Sequence, residues 1–306
     1  MARHFLSSND LTAEEQSSVI TEAIQLKAGK QSRALEGSAV GMIFEKPSTR
    51  TRVSFEVGIA QLGGFPVVLR MDELQLGRGE TIEDTARVLS RYLNALVVRT
   101  FEQSRLERLA SAGSIPVINA LSDPEHPCQA LADLMTVVER FGDLKEVKFT
   151  YLGDGNNVCH SLLIAGAKAG IGQISVASPE GYEPDQSIVR GARAIGSESG
   201  TQISVSNDPI EASKEAWVLY TDVWASMGRE SEREARIQAF RGFEVSADRV
   251  ADAAEEVMVM HCLPAHRGEE ITDEVMDSDA SAVWDQAENR LHTQKALLAF
   301  LVQMNA

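Results

Sequence analysis

The sequence has few cysteines, and their arrangement excludes several classes of protein. The 306 residues include three cysteines, Cys128, Cys159 and Cys262, and no two of them have CxxC spacing. An odd and sparse set argues against a disulfide framework and against a zinc cluster. We therefore expect a protein of the reducing cytoplasm.

Long apolar runs and an excess of positive charge are also missing. No apolar run reaches the about 20 residues that a transmembrane helix needs. The opening MARHFLSSNDLTAEEQ lacks the apolar core of a secretory signal, so we expect none. The net charge is −16, and residues 1–140 carry 15 Lys and Arg against 18 Asp and Glu, while the remainder carries 14 against 27. Such an acidic chain is a poor partner for nucleic acid. We therefore expect neither a nucleic-acid nor a membrane partner.

Two nucleotide-binding fingerprints are incomplete or missing. There is no GxxxxGK[ST] segment, which disfavours a P-loop. The GDGNN turn, residues 153–157, begins like a dinucleotide fingerprint, but Val158 stands where a third glycine would let the helix pack closely. Dinucleotide binding is therefore disfavoured. Asn156 or Asn157 can instead hydrogen-bond a polar substrate; the alternative for Asn156 is that it only tolerates the turn conformation.

Apolar strand patterns alternate with amphipathic helix patterns along the whole chain. This alternation predicts an α/β fold of two domains, each a parallel sheet flanked by helices. Phe141-Gly142-Asp143 interrupts the pattern, so we assign a first domain to residues 1–141 and a second to 142–288. We also expect an initial helix over 12–27 with a Thr12–Glu15 capping box, a last strand at 282–284 and a last helix over 288–303.

A polar segment, FEKPSTRTRVSF, follows the first predicted strand. The strand at 40–44 is apolar and is stopped by Pro47, and Ser48 or Thr49 can cap the next helix. The residues expected to form the buried stripe of that helix are Val53, Val57 and Ala60.

Two arginines in the first turn of this helix indicate a bound anion. Arg50 and Arg52 lie where the helix dipole disfavours cations. A phosphate would be held by the free backbone N–H groups, by nearby hydroxyls and by the Arg50 guanidinium. The hydroxyls are those of Ser48, Thr49 and Thr51. The alternative is a solvated helix start in which the arginines pair with Glu45 or Glu56.

Other unusual polar residues also follow predicted strands. Arg99 and His126 follow two strands of the first domain, and Asp222 and Cys262 lie at strand ends in the second. Ligands of parallel sheets lie beyond the carboxyl ends of the strands. Asp222 could accept a substrate ammonium there. Each residue also has an alternative interpretation. Arg99 would be an ordinary surface arginine and His126 a histidine at a helix start. Asp222 would be a helix N-cap, and Cys262 would serve only packing.

Four motifs occur in one order over nearly the full chain: STRTR, HPCQ, DVWASMG and HCLPAHRG. Together they resemble the aspartate/ornithine carbamoyltransferase superfamily, and the SMG and HCLP elements resemble its ornithine branch. The resemblance implies transfer of the carbamoyl group of carbamoyl phosphate to the side-chain amine of ornithine. The products would be citrulline and phosphate, in arginine metabolism. It also implies a C-terminal helix, 289–306, that returns to the first domain.

The resemblance also implies roles for individual residues. Those assigned to carbamoyl phosphate are Ser48, Thr49, Arg50, Thr51, Gln75, Arg99, His126, Gln129, Cys262, Leu263 and Arg290. Those assigned to ornithine are Asn157, Asp222, Ser226 and Met227. The catalytic candidates are Arg99, His126, Gln129 and Cys262, with Cys262 and Leu263 contacting the reacting end. The family forms trimers or assemblies of trimers, Gln75 would reach a neighbouring subunit's site, and no metal or organic cofactor is implied.

Three other functions stay open at this point. The same chemistry could act on another amine, such as putrescine or a modified ornithine, although Asp222 with SMG favours an α-amino acid. A catalytically silent anion-binding subunit is a second alternative, which would have no need of Arg50, Arg99, His126 and Cys262 together. A dinucleotide-dependent oxidoreductase is the third, and Val158 disfavours it.

Overall fold

The computed structural model describes residues 2–70, 79–225 and 232–305. The chain divides into two compact units. Unit 1 comprises Met1–Ala132 with Asn289–Ala306, and unit 2 comprises Asp133–Glu288. Residues from Asn289 onward therefore belong with the first unit, which confirms the expected return of the C-terminal helix.

The elements follow one another with the expected alternation. In chain order they are α1 (Ala13–Lys27), β1 (Ala39–Phe44), α2 (Thr49–Gln61), β2 (Phe65–Arg70), α3 (Ile82–Leu89), β3 (Ala95–Arg99), α4 (Gln103–Ala112), β4 (Val117–Leu121), α5 (Pro127–Phe141), β5 (Lys148–Leu152), α6 (Asn157–Ala169), β6 (Gln173–Ala177), α7 (Gln186–Ser199), β7 (Gln202–Ser206), α8 (Pro209–Ser213), β8 (Val218–Thr221), α9 (Arg233–Ala239), α10 (Ala247–Asp252), β9 (Met258–His261), α11 (Asp273–Met276) and α12 (Val283–Met304). The two unit boundaries fall inside α5 and α12.

Each unit contains one parallel sheet. The order is β2-β1-β3-β4 in unit 1 and β7-β6-β5-β8-β9 in unit 2, and every pair of neighbouring strands is parallel. The inner strand β3 is buried along its whole length, whereas the edge strand β2 leaves Phe65 69% exposed. The predicted fold class is confirmed.

Local sequence signals explain where several helices begin and end. The Thr12 side chain accepts a hydrogen bond from the Glu15 N–H, and the Glu15 carboxylate accepts one from the Thr12 backbone N–H, so the predicted capping box is present. Asn156 caps α6, and Gly170 ends it in the left-handed conformation at φ 77°. A glycine adopts that conformation at no steric cost.

The predicted buried stripe of α2 is wrong. Val53 and Val57 are 50% and 40% exposed, and Ala60 is exposed as well. The buried face consists of Thr51, Phe55, Gly58 and Ile59. The larger Phe55 and Ile59 are fully buried, and each such burial stabilises the fold by about 2–3 kcal/mol.

The predicted last strand is also wrong. Ala282 makes one bridge bond to β9, with its N–H donating to the Val259 carbonyl at 2.9 Å, and α12 then begins at Val283. A few apolar residues at the start of a buried helix resemble a short buried strand in sequence. Hydrophobic periodicity does not distinguish a helix from a strand over so few residues. The short helices α8, α10 and α11 had not been predicted. No described helix is long and apolar enough to cross a membrane.

Candidate active site

The carboxyl edge of the unit 1 sheet brings the segment after β1 beside Arg99. Phe44, the last residue of β1, is in register with Arg99 at the end of β3. The chain turns from β1 to β2 on one side, while β3 lies on the other. Such a switch point leaves a crevice at the carboxyl ends of the strands, where open α/β sheets bind ligands.

The first turn of α2 presents polar groups at this edge. Ser48 has extended backbone at the N-cap, and its Oγ accepts a hydrogen bond from the Thr51 N–H at 3.3 Å. Thr49 and Arg50 are exposed, and within the described ranges Arg50 forms no ion pair. The start of a helix with free N–H groups and an unpaired guanidinium suits an anion.

The alternative of arginines paired with glutamates holds for Arg52 alone. Arg52 Nε lies 2.9 Å from Glu56 Oε1, four residues along the same helix. Glu45 is committed elsewhere, since its carboxylate accepts from Arg105 at 2.5 Å and from the Thr100 hydroxyl at 2.6 Å. Arg50 is therefore the arginine of this turn that remains available for a ligand.

Arg290, on α12, holds the turn from within unit 1. Its Nη2 donates to Thr51 Oγ1 at 2.7 Å, and both residues are at least 95% buried. A buried guanidinium beside a helix N-terminus raises the positive potential there. The structure thus brings Arg290 to the turn although 239 residues separate it from Thr51.

Arg99, His126 and Gln129 are buried in the same unit. Their exposed fractions are 6%, 5% and 1%. Burial holds the pKa of His126 well below its usual value, and the charges of Arg290 and Arg99 lower it further. His126 is consequently a neutral imidazole at neutral pH, with one ring N–H to donate.

The carboxyl edge of the unit 2 sheet brings Asp222 and Cys262 together. Asp222 follows β8, Cys262 follows β9, and the residues before them, Thr221 and His261, are in register. The Cys262 thiol donates to Asp222 Oδ1 at 2.9 Å. Two predicted substrate-binding residues from separate motifs are therefore in contact.

Asp222 is braced by its surroundings and caps no described helix. It is 6% exposed, and it accepts hydrogen bonds from the Val223 N–H at 2.8 Å and from Asn156 Nδ2 at 2.7 Å besides the thiol. A carboxylate has about four acceptor positions. Three hydrogen bonds leave about one position for a further donor.

The GDGNN turn serves the fold in ways that sequence reasoning had left open. The Asn156 side chain accepts from the Val158 and Cys159 N–H groups at 2.9 and 3.2 Å while its amide donates to Asp222. A Cβ on Gly155 would collide with the backbone of Pro184. Gly155 therefore permits a close approach of the protein's own backbone. Its presence needs no bound dinucleotide to explain it. Asn157 is the first residue of α6 and is half-buried.

The Cys262 thiol is a hydrogen-bond donor and not a thiolate. Burial raises its pKa well above the usual value, and the Asp222 charge raises it further. Leu263, the next residue, has φ 58° in the left-handed region, which a branched residue rarely adopts. Its N–H donates to His261 Nδ1 at 2.8 Å, so the imidazole fixes this loop.

A buried polar network that the sequence did not predict supports that loop. His261 Nε2 lies 3.0 Å from Glu270 Oε1, and because Nδ1 accepts from Leu263, Nε2 carries the proton in the neutral ring. The backbone N–H of His261 donates to Gln286 Oε1 at 2.9 Å, and Gln286 Nε2 donates to Asp133 Oδ1 at 2.7 Å. No local pattern marks Gln286 or Asp133 as members, since they are 153 residues apart in sequence. Glu270 lies only nine residues after His261, in a segment to which the sequence analysis assigned no role.

Arg236 is a second unpredicted support. Its side chain is 3% exposed, and Nη1 donates to Asp154 Oδ2 at 2.9 Å and to the Trp224 carbonyl at 2.8 Å. The guanidinium also lies 4.9 Å from the centre of the Tyr182 ring. It thereby ties the turn after β5 to the segment after Asp222.

Some predicted residues lie outside the described part of the chain. These are Gln75, Ser226 and Met227.

Among the described residues of unit 2, two groups of side chains have the composition of metal ligands. They are Asp222 with His261 and Cys262, and His266 with Glu269 and Glu270. In the first group the protein's own hydrogen bonds already use the thiol, an Asp222 oxygen and both His261 nitrogens. The carboxylate of Glu269 in the second group is paired with Arg233.

Comparison with known families gives a consistent result along the chain. The carbamoyl-P binding domain of the aspartate/ornithine carbamoyltransferases matches residues 3–139, and their Asp/Orn binding domain matches residues 145–301. A relative from Acidothermus cellulolyticus, named ornithine carbamoyltransferase, is 57% identical over 99% of this chain and 97% of its own.

Solved structures agree with the family match. The ornithine carbamoyltransferase of Pyrococcus furiosus has a TM-score of 0.93 at 55% identity, over 97% of this chain and 96% of that one. An N-acetyl-L-ornithine transcarbamylase variant, solved with carbamyl phosphate and N-succinyl-L-norvaline, has a TM-score of 0.87 at 33% identity, over 97% and 99% of the two chains.

Replacing Asp222 with Asn should lower the pKa of Cys262, because the carboxylate's charge and its hydrogen bond both raise that pKa. Iodoacetamide alkylates thiolates, so its rate at a fixed pH below the pKa should rise about three- to fourfold for each tenfold gain in the thiolate fraction, because a thiolate of lower pKa is also a weaker nucleophile. The rate at Cys262 is read by peptide mass spectrometry across a pH series.

Cys159 is the internal control for that experiment. Its pKa is raised chiefly by burial and then by Asp154, and neither contribution involves Asp222. An unchanged pH profile of alkylation at Cys262 in Asp222→Asn would contradict the assigned cause of its raised pKa.

Proposed function

The chain belongs to the aspartate/ornithine carbamoyltransferase family, and we propose that it carbamoylates the side-chain amine of L-ornithine with carbamoyl phosphate. The products are L-citrulline and phosphate. The observation that carries the proposal is similarity to an ornithine carbamoyltransferase at 57% identity over 99% of this chain. The strand registers that bring the predicted polar residues to the carboxyl edges of both sheets support it. We place the reaction in the cytoplasm and in arginine metabolism, as expected for a chain whose three cysteines are free.

In the proposed reaction unit 1 binds carbamoyl phosphate. The N–H groups at the start of α2 and the hydroxyls of Ser48, Thr49 and Thr51 hold the phosphate, and Arg50 supplies the exposed charge. Arg290 fixes Thr51 and adds a second positive charge from the buried side. Cations around the phosphate favour its departure because they stabilise its developing negative charge.

Arg99, His126 and Gln129 are proposed to hold the carbamoyl group. Negative charge builds on the carbonyl oxygen as the amine attacks, and donors aimed at that oxygen stabilise the transition state. Removing one such donor typically costs about 3–4 kcal/mol of barrier. The neutral state of His126 suits this role, since an imidazole N–H donates without adding a third buried charge beside Arg99 and Arg290.

Unit 2 is proposed to bind ornithine. Asp222 accepts the α-ammonium at its remaining acceptor position, and Asn157, Ser226 and Met227 complete the contacts with the amino acid part. Cys262 and Leu263 contact the end that carries the reacting amine. The braces from Asn156 and from the thiol keep the Asp222 carboxylate in one orientation, so little ordering remains to be done when the substrate binds.

The amine must lose a proton before it attacks, because an alkylamine has a pKa of about 10.4. The raised pKa of Cys262 makes its thiol a poor proton acceptor at neutral pH. We assign Cys262 the role of orienting the amine. The first proton passes to solvent on or before binding. After the neutral amine attacks, its nitrogen carries one proton too many, and the leaving phosphate takes that second proton, since it gains basicity as the bond to the carbamoyl carbon breaks.

We further propose that the protein forms homotrimers or assemblies of trimers with shared sites. Val53 and Val57 are exposed beside the α2 turn, and Phe65 is 69% exposed on the edge strand β2. Apolar side chains of this size favour contact with another chain when they lie on one surface. Gln75 lies in sequence between β2 and α3, outside the described residues, and it is assigned to the site of the neighbouring subunit.

A panel of amines tests the substrate. Purified protein with carbamoyl phosphate should give a ureido product fastest from ornithine, and more slowly or not at all from putrescine, N-acetylornithine, lysine and aspartate. Absence of citrulline from folded, trimeric protein would overturn the proposed function. Preference for another amine would retain the assignment of unit 1 and reject that of Asp222.

The structure provides a matched pair of arginines in the first turn of α2. Arg50→Ala should weaken carbamoyl phosphate binding about 10- to 100-fold, because a charge-assisted hydrogen bond contributes about 1.5–3 kcal/mol. Arg52→Ala should change it less than about twofold, since an exposed i,i+4 pair contributes about 0.3–0.5 kcal/mol. Titration calorimetry measures both affinities, and equal effects of the two changes would remove Arg50 from the site.

Shared sites are tested by mixing two inactive variants. Gln75→Ala and Arg99→Met trimers, dissociated and reassembled in equal amounts, should recover about a quarter of the sites, because that share combines an intact Arg99 with an intact neighbouring Gln75. Activity is measured after mass spectrometry confirms mixed trimers. Mixed trimers without activity would show that each site is built from one chain.

A further inference from the structure

A cavity of unit 1 shares no lining residue with the proposed active site. Its volume is about 360 Å³, and its lining includes Gln61 and Leu62 at the carboxyl end of α2 and His292 and Lys295 on α12. Small-molecule sites typically occupy about 300–1,000 Å³. The cavity is therefore large enough for a small metabolite.

Lys295 places a buried positive charge in this cavity. The residue is 6% exposed, and its ammonium donates to Gln61 Oε1 at 2.9 Å. An ammonium has three N–H donors, and a lysine is almost never buried unless it is paired. In the described part of the chain no carboxylate pairs with Lys295. Burial accordingly lowers the pKa of Lys295.

Neighbouring groups leave most of this charge uncompensated. The second lysine of the lining, Lys30, is already paired, since its ammonium lies 2.6 Å from Glu22 Oε2. The carboxyl end of α2 carries the equivalent of about half a negative charge. A bound anion would supply the full counter-charge that the described residues do not give Lys295.

We propose that this cavity binds a small oxyanion, a carboxylate or a phosphate, whose oxygens accept hydrogen bonds from the Lys295 ammonium. Gln31 and Ser32 line the same space and offer polar contacts for the rest of the ligand. The site does not depend on the proposed carbamoyl transfer, because none of its residues takes part in that reaction.

The occupant would lie against two helices that also carry predicted active-site residues. α2 carries Thr51 in its first turn and Gln61 at its end, while α12 carries both Arg290 and Lys295. The helices pack closely here, since a Cβ on Gly58 would lie 3.1 Å from Lys295 Cγ. Neutralising Lys295 should thus stabilise the packing of α2 against α12.

Titration calorimetry with inorganic phosphate and, separately, with acetate tests the proposal. Lys295→Met removes the charge and keeps an unbranched apolar chain, and Lys30→Met is the matched control from the same cavity. Wild type and Lys30→Met should bind one more anion per chain than Lys295→Met. The melting temperatures of wild type and Lys30→Met should also rise with anion concentration. The rise should be smaller for Lys295→Met, because this variant lacks the contribution of the cavity.

The two anions distinguish the sources of the ligand. If Lys295→Met loses a binding site for acetate alone, the ligand is a carboxylate. If it loses one for phosphate alone, the ligand is a phosphate. Loss of a site for both anions identifies a general oxyanion site. Equal stoichiometry in wild type and Lys295→Met for both anions would overturn the proposal. Because neither readout uses carbamoyl transfer, that result would leave the proposed function standing.

The unaltered protein provides a test that does not depend on the variant folding. Crystals are soaked in selenate, as a phosphate analogue, and in 4-bromobenzoate, as a carboxylate. An anomalous peak in the cavity, with an oxygen within about 3 Å of Lys295 Nζ, is expected for at least one soak. An empty cavity in both soaks would overturn the proposal.

Discussion

The positions of the candidate residues depend on the parallel arrangement of both sheets. Parallel strands all end at the same edge, so a residue that follows one strand lies close to residues that follow its neighbours. In unit 1 this constraint sets Arg99 beside the segment that leads to Ser48. In unit 2 it sets Asp222 beside Cys262. Residues from distant motifs meet because of strand register, before any side-chain contact is considered.

The polar groups brought to these edges need support, because buried charges are costly without partners. The two units meet this need differently. Unit 1 carries the exposed guanidinium of Arg50 in the first turn of α2 and the buried guanidinium of Arg290 beside Thr51 in the same turn. Unit 2 surrounds the Asp222 carboxylate with hydrogen-bond donors, and Arg236 compensates Asp154 nearby. The proposed phosphate site thus includes one exposed arginine that forms no ion pair among the described residues, and the proposed ornithine site has a carboxylate that is fixed in orientation.

The sequence predicted the fold where its signals were local. The Thr12–Glu15 cap lies within four residues, and the strand ends at Arg99 and Asp222 are changes from apolar to polar that can be read directly. The face that α2 buries could not be read, because Val53 and Phe55 are both apolar and the neighbouring elements decide which one is covered.

The support of the candidate site depends on contacts between residues far apart in sequence. Arg290 and Thr51 are 239 residues apart, and only the family resemblance had suggested that they act together. Gln286 and Asp133 are 153 apart, and no pattern had linked them. The roles of Gln75, Ser226 and Met227 stay predictions.

The neutral state of Cys262 has a consequence for how this cysteine responds to oxidants. The thiolate, and not the thiol, attacks peroxides and disulfides. Burial raises the pKa of Cys128 to about 12 and those of Cys159 and Cys262 well above the ordinary thiol value. The proposed role of Cys262 is to orient the substrate amine as a protonated thiol. Because little of it is thiolate, Cys262 should remain reduced under oxidative stress that inactivates enzymes with thiolate nucleophiles.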